Sequence, residues 1–440
     1  MWLKILKTLL ITVFCLSLLV CGSPPKEKVK VVILGFDGAG WPTIDPLIAA
    51  GKLPFIKQLK KESAWADFQT VKPTKSSVVW TSIATGKSMD KHGILDFAYL
   101  KENNLQVPFS NSEKRVPSLW QMLDRFGLRS VVINWFVSDP PDHIHGVVVS
   151  DRFRRVILKK PEFIDSYADS VYPPMRFYRL KEVIRSNYRK TLQRIAMPDF
   201  RELFQKVHPE KDSKESFTLQ NSRSFVMQDA LIEDVSEYLF HAEKADLYIS
   251  YFRLPDIVQH FVLHLFPDDY LQQAFGGDGH HAPAVEQQPE IMARIAAAME
   301  PVYRSMERIL AKYMQDPKFK DAYFLVMSDH GFSLFGGGYN HYGLPDDIPA
   351  PPGILLIKGP AVRPGKIARA GVFDITPTVL YLFGLPLDKT MDGQPLKDIF
   401  TLDRKMRYTS YVLDKNKKSL RNQDADRETI EELKTLGYIH

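Results

Sequence analysis

The sequence predicts an α/β fold in which a mostly parallel sheet lies between layers of helices. Three observations carry this reading. Short, unbroken apolar runs recur at 29–36, 129–136, 245–252, 322–327 and 353–358. Helical patterns separate them. Several of the runs end on Asp or on a Gly-containing turn. A strand covered on both faces has no reason to alternate apolar and polar residues, so such runs mark buried parallel strands. Strands alternating with helices mark a sheet dressed on both sides.

In chain order, 29–36 is the first strand, with Asp37-Gly38 at its carboxyl tip. The stretch 65–71 is strand-like, and 78–85 reads as a helix closed by Gly86. A helix is expected over 118–126, with a turn at Gly127 before the run 129–136. Residues 152–240 are helical, basic and aromatic, and read as an insertion or cap over the sheet edge. After 245–252 comes a Gly/Pro/polar loop at 274–288. The helix 291–313 carries Ile295, Met299, Val302, Met306 and Ile309 on one stripe, with a kink expected at Pro301. A helix over 378–383 closes at Gly384-Leu385-Pro386, and the charged tail from Asp403 predicts a last helix over 428–438.

The length of 440 residues suits one large domain or two ordinary ones, and 45% hydrophobic with 25% charged residues supplies a globular core. Cys15 and Cys21 are the two cysteines, which excludes a disulfide scaffold and a thiolate-rich metal protein. Both lie in a leader. Lys4 and Lys7 precede an apolar core at 9–20, as in a secretory signal. The segment Leu18-Leu19-Val20-Cys21-Gly22-Ser23 resembles a bacterial lipoprotein cleavage box, although Val20 is bulkier than the small residue usual before the cysteine. Cys21 is then the expected lipid attachment point. A retained anchor and simple cleavage are the alternatives. All three place the body outside the cytoplasm, in the periplasm or at the cell surface, and the first two tie it to a membrane. The expected organisation is a leader at 1–21, a tether at 22–30, a catalytic domain at 31–400 with its insertion at 152–240, and a tail at 401–440.

The formal charge of +6 divides unevenly. Residues 1–30 hold five lysines against one glutamate, and 152–215 hold sixteen Lys/Arg against nine Asp/Glu. The basic character thus belongs to the leader and one segment. No module of nucleic-acid recognition accompanies it, so no nucleic-acid partner is expected. A solvated surface, or attraction to an anionic substrate or lipid head group, explains the patch.

Ligands in open α/β sheets bind at the carboxyl ends of strands. Three such ends carry Asp: Asp37, Asp256 with His260 four residues on, and Asp329-His330. His341 follows in Gly-Tyr-Asn-His-Tyr-Gly. Singly, each has a plainer explanation as a turn or a satisfied polar residue. Together, three Asp and three His at strand ends suit two divalent cations, with zinc the first choice outside the cell and manganese or magnesium as alternatives. Ser76 would sit at the amino end of the helix after Pro73-Thr74-Lys75, where an anion is favoured. It is either a nucleophile or, like Thr74, an N-cap.

The order of motifs resembles the alkaline phosphatase superfamily, and within it the type I phosphodiesterase/nucleotide pyrophosphatase branch and related bacterial phosphohydrolases. The matching pieces are Gly35-Phe36-Asp37-Gly38, Pro73-Thr74-Lys75-Ser76, Thr81-Ser82-Ile83-Ala84-Thr85-Gly86 and His92-Gly93-Ile94. They continue with Asn134, Pro140-Pro141, Pro255-Asp256-Ile257-Val258-Gln259-His260 and Ser328-Asp329-His330-Gly331, and end with Asp374-Ile375-Thr376-Pro377-Thr378 and Met391-Asp392-Gly393. The likeness implies an alkaline-phosphatase-like sheet with a helical cap. It implies that Asp37, Ser76, Asp329 and His330 hold one ion, and that Asp256, His260 and His341 hold the other. His280 and His281 rival His341, and His264 lies one turn beyond His260.

Two departures stand out. The nucleophile position has Ser76 where the branch usually has Thr, and Val79 occupies the position of an Asn that binds a phosphoryl oxygen. Lys75 or a basic residue of the insertion is the candidate for the missing positive partner. Sulfatases share the fold, but the Pro and Arg of their motif are missing from Ser76-Ser77-Val78-Val79-Trp80. The expected activity is in-line phosphoryl transfer through Ser76, with ions about 4 Å apart clamping the attacking and leaving oxygens. The substrate expected is a phosphorylated small molecule or a lipid head group. The rivals are a head-group transferase acting on lipid or glycan, a phosphomutase, and a non-catalytic envelope protein.

Overall fold

The structure is a computed structural model, described over residues 29–102, 104–159, 161–195, 214–266, 270, 288–335, 338–341, 348–417, 419–436 and 438–439. The leader, Cys21, His280 and His281 lie outside the described residues.

A nine-stranded sheet forms the centre. Its strands are β1 (Val31–Phe36), β2 (Ala64–Phe68), β3 (Ser130–Ile133), β4 (Gly146–Val149), β5 (Val171–Tyr172), β6 (Leu247–Phe252), β7 (Tyr323–Met327), β8 (Gly353–Lys358) and β9 (Gly365–Lys366). Their spatial order is β9-β2-β8-β7-β1-β6-β3-β4-β5. From β7 through β4 the neighbours are all parallel, with β1 at the middle between β7 and β6. All six residues of β1 are buried, because both faces of the sheet are covered. Val32, Leu34 and Phe36 face one core cluster, while Val31 and Ile33 face another.

The helices that matter for the site are α1 (Trp41–Ala49), α2 (Pro54–Glu62), α3 (Ser76–Thr85), α4 (Leu119–Asp124), α5 (Met175–Ile195), α6 (Lys214–Ala242), α7 (Leu254–Phe261), α8 (Gln288–Met314), α9 (Ile375–Phe383) and α10 (Gln423–Thr435). Buried residues of α1, α2, α6 and α8 cover one face of the sheet; α3, α4 and α9 cover the other.

Several expectations are corrected. β8 is buried over its first five residues like the central strands, yet it runs antiparallel to both β7 and the half-buried β2. A run covered on both faces carries no record of its direction. Helix α3 begins at Ser76 rather than at 78. The last helix is Gln423–Thr435, started by Asn422, whose side-chain oxygen accepts from Asp424 N and Ala425 N.

The described residues of the segment 152–240 contribute to the body of the fold. Phe153, Val156, Tyr167, Phe177, Leu180, Val235 and Leu239 join the core of the sheet. β5 pairs antiparallel with β4 as an edge strand, and α6 packs on β6 and β3.

Candidate active site

The site assembles at the carboxyl ends of the parallel strands. Asp37 follows β1, Asp256 and His260 lie on α7 just after β6, and Asp329-His330 follow β7. Asp37 and Asp256 come close because of Gly38. This residue has φ +71°, and a Cβ placed on it would lie 2.7 Å from the Asp256 Cα. Gln259 closes the junction by donating to Gly38 O at 2.6 Å and to Pro255 O at 3.0 Å.

Two triads result, Asp37–Asp329–His330 and Asp256–His260–His341, each with its ligand-type atoms mutually within 4.8 Å. In the first, His330 Nε2 is 3.4 Å from Asp37 Oδ1 and 3.4 Å from Asp329 Oδ2. In the second, Asp256 Oδ1 is 3.3 Å from His260 Nε2 and 3.6 Å from His341 Nε2. The triads adjoin, since His330 Nε2 is 3.9 Å from Asp256 Oδ1 and the His330 and His341 rings stack at 3.7 Å. His341 Nδ1 lies 3.0 Å from Thr74 O, and His330 Nδ1 lies 3.0 Å from Gly331 O. These contacts at Nδ1 fix both rings and aim each Nε2 at the cluster.

Ser76 is the first residue of α3 and almost wholly buried; Lys75 stands at the N-cap, with no side chain closing the helix end. The Ser76 hydroxyl donates to Asp37 Oδ1 at 3.4 Å. Neither Ser76 nor Thr74 therefore serves as the side-chain N-cap. The Lys75 ammonium is ion-paired with Asp96.

Burial works against charge throughout the cluster. It pushes the Asp329 carboxyl well above the usual range, aided by Asp37. It opposes a charged His330, but Asp329 and Asp37 outweigh it and raise that ring to about 10. Burial also raises Asp256, yet His260, His341 and His330 overcome it and hold the carboxyl well below the usual range. His341 is pushed well below its ordinary value by burial and by His330.

The donor set fits divalent cations. Three buried carboxylates share one cluster, and their ion-pair partners are imidazoles. Asp256 Oδ1, Asp329 Oδ2 and His330 Nε2 have no hydrogen-bond partner among the described residues, and they belong to the facing triads. Orphaned buried polar atoms on this scale are costly unless a cation meets them.

The family model described as type I phosphodiesterase/nucleotide pyrophosphatase matches residues 31–357. The chain belongs to this family. Membership places it in the alkaline phosphatase superfamily, among phosphoester hydrolases. The fold is similar to that of a 2-O GAG sulfatase, at 12% identity over 87% of this chain and 76% of that one, with TM-score 0.52. It is also similar to the phosphonate monoester hydrolase of Silicibacter pomeroyi, at 15% identity, 85% and 76% coverage and TM-score 0.46. A third likeness is to murine ectonucleotide pyrophosphatase/phosphodiesterase 5, at 12% identity, 84% and 100% coverage and TM-score 0.48. At these identities the likeness concerns the fold.

Against that family pattern, Val79 is fully buried in the apolar cluster beneath the sheet. Sequence reasoning missed the aromatic donors around the carboxylates. Trp80 Nε1 donates to Asp37 Oδ2 at 3.3 Å, and the Tyr251 hydroxyl donates to the same oxygen. The Tyr438 hydroxyl donates to Asp256 Oδ2 at 2.5 Å. Burial, with Asp37 for Tyr251 and Asp256 for Tyr438, pushes both phenols well above their ordinary value, so they act as donors. Trp80 carried a signal, since it lies four residues after Ser76 on the same helix face. Tyr438 carried none, being 182 residues from Asp256.

Proposed function

We propose that this chain is an exported, membrane-tethered phosphoesterase that depends on divalent metal and uses Ser76 as its nucleophile. One observation supports it above the others: the buried Ser76 Oγ sits 3.4 Å from Asp37 Oδ1, at a helix amino end beside two adjoining Asp/His triads. Asp37, Asp329 and His330 would hold one ion, with Ser76 Oγ beside it; Asp256, His260 and His341 would hold the other. Zinc suits three carboxylates and three imidazoles without thiolate, and manganese or magnesium would serve in its place. Such ions supply positive charge at the attacking and leaving oxygens.

The protein's own groups do the rest. Asp37 Oδ1 orients the Ser76 hydroxyl and is the acceptor nearest its proton. Trp80 and Tyr251 hold Asp37 by its other oxygen and fix its rotamer. Ser76 Oγ forms the new bond to phosphorus while the bond to the leaving oxygen breaks, and water then cleaves the phosphoserine. The amino end of α3 favours the transferred anion.

The leader supports export and attachment. Lys4, Lys7, the apolar core at 9–20 and Cys21 form a secretory pattern with a lipidation site. The substrate class is a phosphorylated small molecule or lipid head group. The deciding experiment assays wild type and Ser76→Ala on a panel of phosphomonoesters and diesters with zinc, manganese or magnesium. The variant is expected to lose turnover while keeping its metal content; wild-type turnover in Ser76→Ala overturns the proposal.

A further inference from the structure

The two triads share a construction that the family motifs do not contain. In each, one carboxylate oxygen faces the cluster and the other is held by aromatic donors. For Asp37 these donors are Trp80 and Tyr251, both close in the fold core. For Asp256 the donor comes from the far end of the chain. Tyr438 holds Oδ2 at 2.5 Å, and Oδ1 is left without a hydrogen-bond partner, 3.3 Å from His260 Nε2 and 3.6 Å from His341 Nε2.

The Tyr438 ring is itself fixed. It stacks on Phe97 with centroids 4.6 Å apart and planes at 7°, and meets the His260 ring edge-on at 5.6 Å. Its backbone N–H donates to Leu433 O at 3.0 Å, at the end of α10. Leu436 packs with Phe225, Ile257 and Phe261, so the end of the chain is anchored on α7, the helix that bears Asp256 and His260. A second anchor lies one turn back. Glu432 takes Arg253 at 2.5 Å, Arg154 at 3.2 Å, and Arg155. Arg253 directly follows β6, three residues before Asp256.

We propose that Tyr438 is a positioning residue for the Asp256–His260–His341 triad. By holding Asp256 Oδ2, it makes that carboxylate bind through Oδ1 alone. The tail after residue 400 is then part of the catalytic site. The inference rests on the reading of the triads as metal sites. A carboxylate with both oxygens free is able to chelate one ion; a donor on one oxygen removes that option and fixes the ring of donor atoms seen by the metal.

The test uses full-length protein, wild type and Tyr438→Phe, stripped with a chelator and titrated with Zn2+ by calorimetry. Cobalt absorption spectra of the refilled proteins supply a second readout. Two sites are expected in wild type. In Tyr438→Phe the first should keep its affinity and the second should weaken by about 10- to 100-fold, the range typical of lost outer partners. The cobalt bands of the second site should lose intensity as Asp256 turns bidentate and the coordination number rises. Phe keeps the ring and its stacking, so folding is preserved. Phe97→Leu, which loosens the ring while keeping the hydroxyl, should weaken the same site by less. Wild-type affinity at both sites with an unchanged cobalt spectrum overturns the positioning role, as does equal weakening of both. A wild-type chain that binds no ion overturns the metal reading itself, and this inference with it.

Discussion

Replacing Glu432 by Gln tests how the tail is held. The Glu432 carboxylate accepts from three guanidinium groups, with Arg253 at 2.5 Å, Arg154 at 3.2 Å, and Arg155. Its side chain is 11% exposed, and the three arginines between 4% and 9%. The pairing is therefore not weakened by solvent in the way of a surface ion pair. Arg154 Nε already lacks a partner among the described residues, so little alternative pairing is at hand. Removing one partner of a buried ionic set costs about 3–5 kcal/mol. At about 2.1 cal/mol/K per residue, 440 residues unfold with an entropy of about 0.9 kcal/mol/K, so Tm should fall by about 3–6 °C. The effect depends on pH. Burial raises the Glu432 carboxyl, but Arg154, Arg155 and Arg253 overcome it and hold the folded value well below the ordinary 4.5. A depressed folded value means that the stabilisation is present above 4.5 and is lost as pH falls through the folded value. The gap between wild type and Glu432→Gln should be full at pH 7 and narrow in acid. The assay is urea unfolding of both proteins across that range, with amide exchange in α10 to show release of the helix. A gap under about 1 kcal/mol at pH 7, or one that stays constant into acid, would refute the reasoning.

Two further outcomes complete those given for Ser76 and Tyr438. Gly38→Ala should lower both Tm and metal content, because its Cβ would lie 2.7 Å from the Asp256 Cα at φ +71°, a strain of about 1–3 kcal/mol; thermal melting with metal analysis checks it. Chelation should abolish turnover and lower Tm by several degrees, since ligand held at about 1,000 Kd contributes about 4 kcal/mol, and readdition of zinc should restore both.

Much of the site was legible along the chain because its chemistry is local. Asp37, Asp256 with His260, and Asp329-His330 each sit where an apolar run ends, and those runs are the central strands. Parallel packing buries such strands on both faces and leaves their carboxyl tips for polar groups, so hydrophobic pattern and site are two results of one constraint. His341 was less visible. It follows no run, and the structure sets it by Thr74 O and the His330 ring. The expected alternative for Ser76, a helix cap, did not hold, because the helix starts two residues earlier than its apolar pattern suggests, which puts Lys75 at the cap.

By itself, the sequence determined the α/β class, the parallel centre of the sheet, and the residues proposed for phosphoryl transfer. These follow from short-range periodicity and from the few side chains able to bind a cation. Only the tertiary structure decided the antiparallel course of Gly353–Lys358, the core packing of residues within 152–240, and the docking of the tail. Strand direction leaves no mark on a run buried on both faces. Nothing near Tyr438 in the chain records that it meets Asp256, because that contact depends on how α10 is gripped by Arg154, Arg155 and Arg253.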